Sequence, residues 1–447
     1  MTAAGITPAT TRYQNFYKAQ AGKSKIECVN FLFFIYIKIY HMQLKSFLFI
    51  LSVVAAACFC GCNNNDGKAK TSAMPAEENN KANTDYKPAF AGQTRIKKVV
   101  TATPYKVEKL AEKLGRPWAI IPLPDGRLMI TEKSGYITIH SADGVLLKKV
   151  TGLPPVDDAG QGGLLDVALD PAFAQNKTIY WSFSEKVDSG NLTAVAKGQL
   201  SADELTIQNP VVIFEAKPAL KSENHFGSRL VFDKDGYLFV TAGERSILEG
   251  RRQAQLLNSG LGKIYKITKD GKAAPGNPFL NQADAKPEIY SYGHRNPQSL
   301  DINPATGELW EAEFGPRGGD ELNLIKPGKN YGWPVITYGI EYDGNKIGDA
   351  IQQKEGMEQP VYYWDPVASP SGMGFYNSDS IPEWKNNLFI ACLSSSRIAR
   401  LVIENNKVTG EESLLSDKKE RFRDVALSNG KLYAVTDSGI LFRISKN

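Results

Sequence analysis

Six similar hairpins recur along the chain, and this repetition limits the fold more than any other feature of the sequence. Each joins an alternating apolar strand to a second apolar strand through a turn that carries Gly or Asn. The six read "WAIIPLPDGRLMITE" from residue 118, "DVALDPAFAQNKTIYWS" from 166, "ENHFGSRLVFDKDGYLFVTAGER" from 223, "SLDINPATGELWEAEFG" from 299, "GMGFYNSDSIPEWKNNLFIAC" from 372 and "DVALSNGKLYAVTDSG" from 424. A recurring multistranded unit without helical periodicity is typical of a β-propeller.

The hairpins therefore predict an all-β, six-bladed β-propeller over residues 104–447, with long inter-strand loops above a central funnel. A sandwich or barrel is the competing architecture, but neither explains six similar hairpins. We expect a strand within residues 100–112 to close the ring against the last blade. The excess length lies between Gly243 and Ser299 and between Gly307 and Gly372. Loops of that size usually carry function.

The N-terminal residues 1–62 have the pattern of an export segment. From Met42, "MQLKSFLFILSVVAAACFCGC" gives a lysine, an apolar stretch, small residues and cysteines. This order resembles a bacterial lipoprotein signal acylated at Cys62, with Cys58 as the alternative, and predicts a periplasmic or outer-membrane lipoprotein. Met42 is a candidate start, which makes residues 1–41 an upstream extension; an uncleaved membrane anchor is the competing interpretation. Residues 63–103, rich in Asn, Lys, Ala and Thr, predict a flexible tether.

Charge and cysteine content exclude several classes of function. The formal net charge of +5 arises in the export segment, and the rest of the chain has 47 basic and 47 acidic residues. A nucleic-acid partner would need a concentrated basic surface, so none is expected. Only Cys392 lies beyond the N-terminal cysteines, which argues against a disulfide framework. The histidines at 140, 225 and 294 lack the paired spacing of zinc ligands.

The hairpin from residue 223 begins beside a histidine and ends on an acid. Two strands joined by a tight turn return the chain close to its start, so His225 and Glu244 can meet at one end. A carboxylate beside an imidazole fixes its tautomer and raises its basicity, which suggests a general base. The competing interpretation is an ordinary surface His near a surface Glu.

Four polar stretches give the chain a family resemblance. They are "GQGGLLD" at 160–166, "YGHRNPQSLD" at 292–301, "EFGPRGGDELNLIKPGKNYGWP" at 313–334 and "ERFRDVA" at 420–426. In this order they resemble the soluble glucose/sorbosone dehydrogenases, also called aldose sugar dehydrogenases. These are six-bladed propellers that use pyrroloquinoline quinone (PQQ) and calcium. The resemblance covers roughly residues 104–447.

The resemblance implies that the chain oxidises aldoses at C1 and passes electrons to an external acceptor. It makes His225 the catalytic base, Glu244 the acid that orients it, and Arg295 the group that stabilises negative charge on the quinone oxygen. Glu244 stands where the family's soluble glucose enzymes usually have Asp. The implied cofactor or sugar contacts, some of them already named, are Gln161, His225, Arg295, Asn296, Gln298, Ser394, Arg421 and Arg423. Tyr342 and Trp364 are further candidates, because they lie in loops expected near the mouth of the funnel, where aromatic faces can cover a sugar; ordinary packing is the competing interpretation. An alternating Arg-Phe-Arg strand also points both guanidiniums to one face, which suits a tricarboxylate.

The resemblance also implies two calcium sites. The cofactor calcium matches the carbonyls of Gly315 and Pro316, and a structural calcium matches Glu321 and the backbone of Tyr331, with Asp320 as a further ligand. Without the resemblance, Asp320 and Glu321 are interpreted as a solvated acidic turn. Where the family's soluble glucose enzymes place a lysine against the cofactor, this chain offers Ser394, with Arg397 as a possible substitute.

Two other classes of function compete with the dehydrogenase. A lactonase-type propeller hydrolase would need carboxylates and asparagines converging on a metal in the funnel. A lipid-anchored, non-catalytic carbohydrate-binding propeller would not need the pair of His225 and Glu244. Fold alone does not choose among the three, because propellers host many chemistries.

Overall fold

The structure is a computed structural model that describes residues 75–447, and its strands form six four-stranded antiparallel sheets. The first strand, β1 (Tyr105–Ala111), joins the last sheet. Blade 1 contains β2 (Pro117–Pro122), β3 (Leu128–Glu132), β4 (Tyr136–His140) and β5 (Leu146–Val150). Blade 2 contains β6 (Leu164–Leu169), β7 (Thr178–Val187), β8 (Gly190–Leu200) and β9 (Ile207–Glu215). Blade 3 contains β10 (Leu230–Phe232), β11 (Leu238–Ala242), β12 (Lys263–Ile267) and β13 (Ile289–Tyr292).

Blades 4 to 6 repeat the same order. Blade 4 contains β14 (Pro297–Ile302), β15 (Leu309–Glu313), β16 (Asp320–Ile325) and β17 (Tyr362–Trp364). Blade 5 contains β18 (Pro370–Phe375), β19 (Leu388–Cys392), β20 (Arg397–Glu404) and β21 (Lys407–Leu414). Blade 6 contains β22 (Phe422–Ser428), β23 (Lys431–Thr436) and β24 (Leu441–Lys446), together with β1. The helical segments in the described range are α1 (Phe173–Asn176), α2 (Leu248–Gln253) and the 3-10 turns Pro382–Trp384 and Ser416–Lys418. The predicted six-bladed β-propeller is therefore confirmed.

The ring closes with a strand from each end of the described range. β1 pairs antiparallel with β24, with Tyr105 opposite Lys446 and Lys109 opposite Phe442. This is the closing strand expected within residues 100–112. It completes blade 6, so hydrogen bonds between the two ends of the propeller resist opening of the ring.

Neighbouring blades are joined by buried carboxylates on their inner strands. Asp166 of blade 2 accepts the N–H of Leu230 at 2.7 Å, and Asp424 of blade 6 accepts that of Ile120 at 2.9 Å. Asp301 of blade 4 accepts the N–H of Phe375 in blade 5 at 3.0 Å. The recurring Asp in the hairpin sequences thus satisfies a backbone donor of the next blade, and buried donors left without a partner would be costly.

The hydrophobic core lies between blades as well as within them. One buried cluster combines Met129 and Ile139 of blade 1 with Val167 and Trp181 of blade 2. Another joins Trp310 of blade 4 to the inner strands of blade 5. Neighbouring blades therefore pack against each other through apolar side chains.

The segment before the propeller departs from its prediction. We expected a flexible tether over residues 63–103, but residues 76–103 are ordered along blades 4 and 5 and are called the N-terminal strap below. Val99 donates its N–H to the carbonyl of Glu411 at 2.9 Å, and Thr101 donates to Glu412 at 2.8 Å. The tether prediction is wrong for this part, because its backbone donors find partners on the propeller edge.

The export segment, with Cys58 and Cys62, lies outside the described residues. Within residues 75–447, no helix has the length and apolar character needed to cross a membrane.

Candidate active site

His225 and Glu244 meet at one end of the blade 3 hairpin. The turn after β10 has Gly236 at φ 81°, which returns the chain along β11. His225 Nδ1 lies 2.6 Å from Glu244 Oε1, so Nδ1–H donates to the carboxylate. His225 itself has φ 51°, a left-handed conformation that costs energy for a non-glycine residue and is frequent at functional sites. Both side chains are buried, which excludes the interpretation of an ordinary surface pair.

The surroundings of His225 keep its imidazole neutral. Burial lowers the pKa of His225 to about 4, the positive charge of Arg295 adds to this effect, and Glu244 opposes it. Of these three contributions, the sequence predicts only that of Glu244. Because Nδ1 is bound to Glu244, Nε2 is the ring nitrogen left to accept a proton from a substrate.

Arg295 and Asn296 lie beside this pair, at the start of blade 4. The carbonyl of Arg295 accepts the N–H of Glu244 at 2.9 Å. Asn296 Oδ1 accepts the N–H of Gly227 at 3.0 Å. Nε of Arg295 and Nδ2 of Asn296 are buried donors with no partner among the described residues. Such orphaned donors are expected where a bound molecule supplies the acceptor.

Gln161 links the loop of blade 2 to the histidine. Its Oε1 accepts the backbone N–H of His225 at 2.9 Å, and its own N–H donates to the carbonyl of Glu223 at 2.7 Å. Gln161 therefore fixes the backbone that carries the imidazole, in addition to lining a cavity.

A cavity of about 280 Å³ opens between blades 1, 2 and 6, and its lining includes Gln161, Arg421 and Arg423. The two arginines point to one face as predicted, since Nε of Arg421 and Nε of Arg423 donate to the two oxygens of Asp437 at 3.0 and 2.8 Å. Nη1 of Arg423 also lies 3.3 Å from Oε1 of Gln298. Two guanidinium groups that line one cavity fit an anionic, oxygen-rich planar cofactor such as PQQ.

The loop after β15 carries the carbonyls expected to bind calcium. Nη1 of Arg295 donates to the carbonyl of Gly315 at 2.8 Å and to that of Phe314 at 2.9 Å. A β-carbon at Gly315 would lie 2.3 Å from the backbone of Gly319, so only glycine permits this turn. A carbonyl oxygen has two lone pairs, and that of Gly315 can therefore face a cation while it accepts from Arg295.

Asp320 does not have the role expected from the resemblance. One of its oxygens accepts the N–H of Gly315 at 2.8 Å, and the other accepts those of Ala368 and Ser369 at 2.6 and 2.8 Å. Burial raises the pKa of Asp320 to about 6. Because three backbone donors occupy its carboxylate, Asp320 braces the Gly315 loop instead of offering free oxygens to a metal.

Glu321 belongs to a buried acidic cluster that sequence reasoning missed. Oε2 of Glu321 lies 3.4 Å and Oε2 of Glu311 lies 3.1 Å from Nδ2 of Asn323. Ligand atoms of His294, Glu311 and Glu313 lie within 4.8 Å of one another. Burial, reinforced by the charge of Glu313, raises the pKa of both Glu311 and Glu321 well above the ordinary value.

Two oxygens of this cluster, Oε1 of Glu311 and Oδ1 of Asn323, are buried without a partner among the described residues. The signal in the sequence was the pair of alternating motifs "EAE" and "ELN", because β15 and β16 are neighbours and put these side chains on one face. Tyr331 lies close by, with its ring stacked on His294 at 4.8 Å between centroids.

Of the two aromatic residues expected at the mouth of the funnel, Tyr342 is exposed near Arg295, whereas Trp364 is buried. Tyr342 is 68% exposed and its hydroxyl lies 3.5 Å from Nη2 of Arg295. Trp364 is buried between blades, where Nε1 donates to Glu411 at 3.0 Å. The expectation that Trp364 covers a sugar is therefore wrong, because its strand turns the indole into the core.

The position expected to carry the family's lysine is neutral. Oγ of Ser394 lies 2.7 Å from Oγ of Ser369, in the loop region that Asp320 braces. Arg397, considered as a substitute, is buried and donates to Glu411 at 2.9 Å. Arg397 therefore points away from the arginine-lined cavity and does not replace the lysine.

Comparison with known proteins gives one family. The profile described as Glucose / Sorbosone dehydrogenase matches residues 114–443. The chain is 44% identical over 345 residues to the aldose sugar dehydrogenase YliI of Escherichia coli K12, which covers 76% of this chain and 92% of that protein.

Solved structures agree with this comparison. The crystal structure of the soluble aldose sugar dehydrogenase from Escherichia coli in its apo-form superposes with a TM-score of 0.74 at 42% identity, covering 77% of this chain and 100% of that one. The PQQ-bound aldose sugar dehydrogenase from Streptomyces coelicolor gives a TM-score of 0.62 at 28% identity, and the match covers 77% of this chain and 99% of that one.

Proposed function

This chain belongs to the glucose/sorbosone dehydrogenase family and is a sugar dehydrogenase, and we propose that it oxidises aldoses at C1 to aldonolactones with PQQ and calcium as cofactors. The observation that carries the proposal is the buried pair of His225 and Glu244 beside Arg295, next to a cavity lined by arginines. A hydride-transfer site needs a proton acceptor and a positively charged group close together, and this arrangement supplies both.

His225 acts as the general base in this proposal. Nε2 takes the proton of the C1 hydroxyl, while Glu244 holds Nδ1–H and stabilises the imidazolium that forms. Burial keeps the imidazole neutral before the reaction, so the base is available without a prior deprotonation. When bound, PQQ would supply the acceptor for the hydride that leaves C1.

Arg295 provides positive charge where negative charge develops. Its guanidinium is held by the carbonyls of Phe314 and Gly315, which leaves the buried Nε without a protein acceptor. A preorganised donor of this kind stabilises an oxyanion without having to reorganise during the reaction. Arg421 and Arg423 would hold cofactor carboxylates, and Asn296 would donate its free Nδ2 hydrogens to a cofactor or sugar oxygen.

Calcium has two candidate positions. The carbonyls of Gly315 and Pro316 would hold the ion that contacts the cofactor, and the acidic cluster of Glu311, Glu313, Glu321 and Asn323 would hold a structural ion. Oxygen-only donor sets of irregular geometry suit calcium better than magnesium. The unpartnered oxygens of Glu311 and Asn323 support the second position.

Chelation separates the two calcium roles. Removal of the ion from wild-type protein should lower both activity and the melting temperature, and calcium should restore both better than magnesium. Glu311→Gln should reduce the part of the melting-temperature shift that calcium produces, whereas Glu355→Gln, at an exposed position between β16 and β17 of the same blade, should not. An unchanged calcium response in Glu311→Gln would remove the cluster from the proposal.

The protein would work at the cell envelope, anchored through a lipid on Cys62 and delivering electrons to an external acceptor. The proposal rests on the lipoprotein-like segment alone. Wild-type protein expressed from Met42 should fractionate with membranes, and Cys62→Ala should release it. If Cys62→Ala and Cys58→Ala both stay in the membrane fraction to the same extent as wild type, lipid anchoring at these cysteines is contradicted.

Reconstitution tests the function directly. Purified protein is mixed with PQQ and calcium, and reduction of a dye acceptor is followed with a panel of aldoses. We expect reduction only when PQQ and an aldose are both present. Dye reduction absent for every aldose, together with hydrolysis of an added lactone, would instead favour the hydrolase. Inactivity in both assays with retained sugar binding would favour a binding propeller.

A further inference from the structure

The proposed cofactor cavity contains a lysine that comes from a different blade than the family pattern suggests. Ser394 of blade 5 carries no charge, yet PQQ has three carboxylates. Lys133 follows β3 of blade 1 and lines the same cavity as Arg421, Arg423 and Gln161. A lysine is therefore present in this cavity although position 394 is neutral.

The backbone and side chain of Lys133 are both held in place. Its carbonyl accepts the N–H of Leu164 at 3.0 Å, and a β-carbon at Gly163 would lie 2.4 Å from that carbonyl, so the two loops approach closely because position 163 is glycine. Nζ of Lys133 donates to the carbonyl of Gly160 at 2.7 Å. The next residue, Gln161, holds the backbone of His225, so Lys133 and the catalytic histidine are fixed by one loop.

The carboxylates near Lys133 are already paired with arginines. Asp437 already pairs with Arg421 and Arg423, and Asp158 pairs with Arg116 at the rim. Among the described residues, no carboxylate forms an ion pair with Lys133. Burial and the positive charges of Arg423 and Arg116 lower the pKa of Lys133 to about 8, and Asp437 and Asp158 oppose this shift only in part. An anionic ligand in the cavity would relieve this repulsion.

We propose that Lys133 binds a carboxylate of PQQ and replaces, from blade 1, the lysine that position 394 lacks. The inference rests on the proposed function, because it names a further ligand of the same cofactor. A lysine ammonium offers three donors, so Lys133 can keep its bond to Gly160 while it donates to a cofactor carboxylate. Lys133 is a binding residue in this view, and it takes no part in proton transfer.

The test measures PQQ binding to the calcium-loaded protein by titration, without sugar or dye. Lys133→Gln should raise the Kd about 10- to 100-fold, as expected for the loss of one charge-assisted hydrogen bond. Lys133→Arg should recover part of the affinity. Lys149→Gln, which changes an exposed lysine of the same blade, should leave the Kd unchanged.

A second ligand separates charge recognition from a structural effect. The trimethyl ester of PQQ lacks the carboxylate charges, so wild type and Lys133→Gln should bind it with similar affinity. If Lys133→Gln weakens binding of the ester as much as that of PQQ, Lys133 shapes the loop and the proposal is overturned. Equal PQQ affinity in wild type and Lys133→Gln also overturns it and leaves the proposed function intact. Absence of PQQ binding by wild-type protein defeats the proposed function itself.

Discussion

His225 combines features that act against each other. Its left-handed backbone and its burial cost free energy, and burial together with Arg295 disfavours the protonated ring. Glu244 compensates most when the imidazolium forms, because an ion pair then replaces a hydrogen bond from an uncharged ring. The site is thus arranged to stabilise the protonated histidine during the reaction more than at rest, which is what catalysis by a general base requires.

Substitution of the pair should separate binding from turnover. His225→Gln should still bind PQQ, because Arg421 and Arg423 remain, but kcat should fall by about 10²–10⁴-fold or more. Glu244→Gln should cost less, since a glutamine carbonyl still accepts from Nδ1–H. The measurement is kcat with saturating PQQ, calcium and sugar, with Glu249→Gln on α2 as the exposed control. Turnover close to wild type in His225→Gln would exclude the catalytic role.

The low pKa of His225 predicts how activity depends on pH. A base with pKa about 4 loses activity only as the pH falls toward 4, far below the range of an ordinary histidine. Because Glu244 raises this pKa, Glu244→Gln should move it lower still. NMR titration of the ring in the apo-protein gives the value directly. A wild-type pKa near 6.5, or an upward shift in Glu244→Gln, would contradict the described environment.

At the scale of elements, the N-terminal strap supports the loop that carries Gly315. The carboxylate of Asp365 accepts the N–H of Asn83 at 2.7 Å, the N–H of Thr84 at 3.0 Å and the hydroxyl of Thr84 at 2.7 Å. The preceding carbonyl, that of Trp364, accepts the N–H of Gly319 at 2.8 Å. The strap and the proposed calcium loop therefore share one short connection after β17.

Breaking this connection should destabilise the protein. Asp365→Ala removes three hydrogen bonds to a buried carboxylate, and we expect a loss of about 2–4 kcal/mol in the free energy of unfolding. Urea unfolding measures the loss, and hydrogen exchange should rise within residues 76–99. Asp379→Ala, at an exposed ion pair with Lys385, is the control. If Asp365→Ala and the control behave alike, the strap does not stabilise the propeller.

At the scale of the whole molecule, some features of the fold and the site can be predicted from the sequence and others cannot. Strand alternation and turns predicted the six blades and the meeting of His225 with Glu244, because both follow from local geometry. The order of residues 76–103 was missed, since a polar composition does not show that backbone donors will find acceptors such as Glu411. The burial of Trp364 was missed as well, because the direction of a side chain beside a loop depends on the neighbouring blade.

Arg229 is the clearest case of a role that only the assembled ring reveals. Nη1 contacts Asp166 of blade 2 at 3.0 Å and Asp424 of blade 6 at 3.2 Å. Nε and Nη2 donate to the carbonyls of Gln298 in blade 4 and Ser371 in blade 5, at 3.0 and 2.9 Å. The guanidinium lies 4.6 Å from the ring of Trp118 in blade 1. Arg229 directly precedes β10 of blade 3, so one side chain on the central axis touches the inner strands of the other five blades.

Loss of this contact should be costly, and the cost should depend on pH. Arg229→Met leaves the carboxylates of Asp166 and Asp424 buried without a cation. We therefore expect the free energy of unfolding to fall by about 3–5 kcal/mol. Burial already raises the pKa of Asp166 to about 6, above its unfolded value, and the pairing with Arg229 opposes that rise. Removal of Arg229 should raise the pKa further, so the folded variant should bind protons that the unfolded chain releases, and stability should fall as pH rises from 5 to 8.

Urea unfolding at both pH values measures this loss. Arg127→Met, which removes a partly exposed arginine between Asp125 and Glu204, should cost about 1 kcal/mol or less. Adding Asp166→Asn and Asp424→Asn to Arg229→Met removes the unpaired charges, so the triple variant should recover stability and lose most of the pH dependence. Two outcomes would contradict this role of Arg229: Arg229→Met destabilises the protein no more than Arg127→Met, or the triple variant is less stable than Arg229→Met at pH 8. In either case the packing between the blades, and not the axial arginine, holds the ring together.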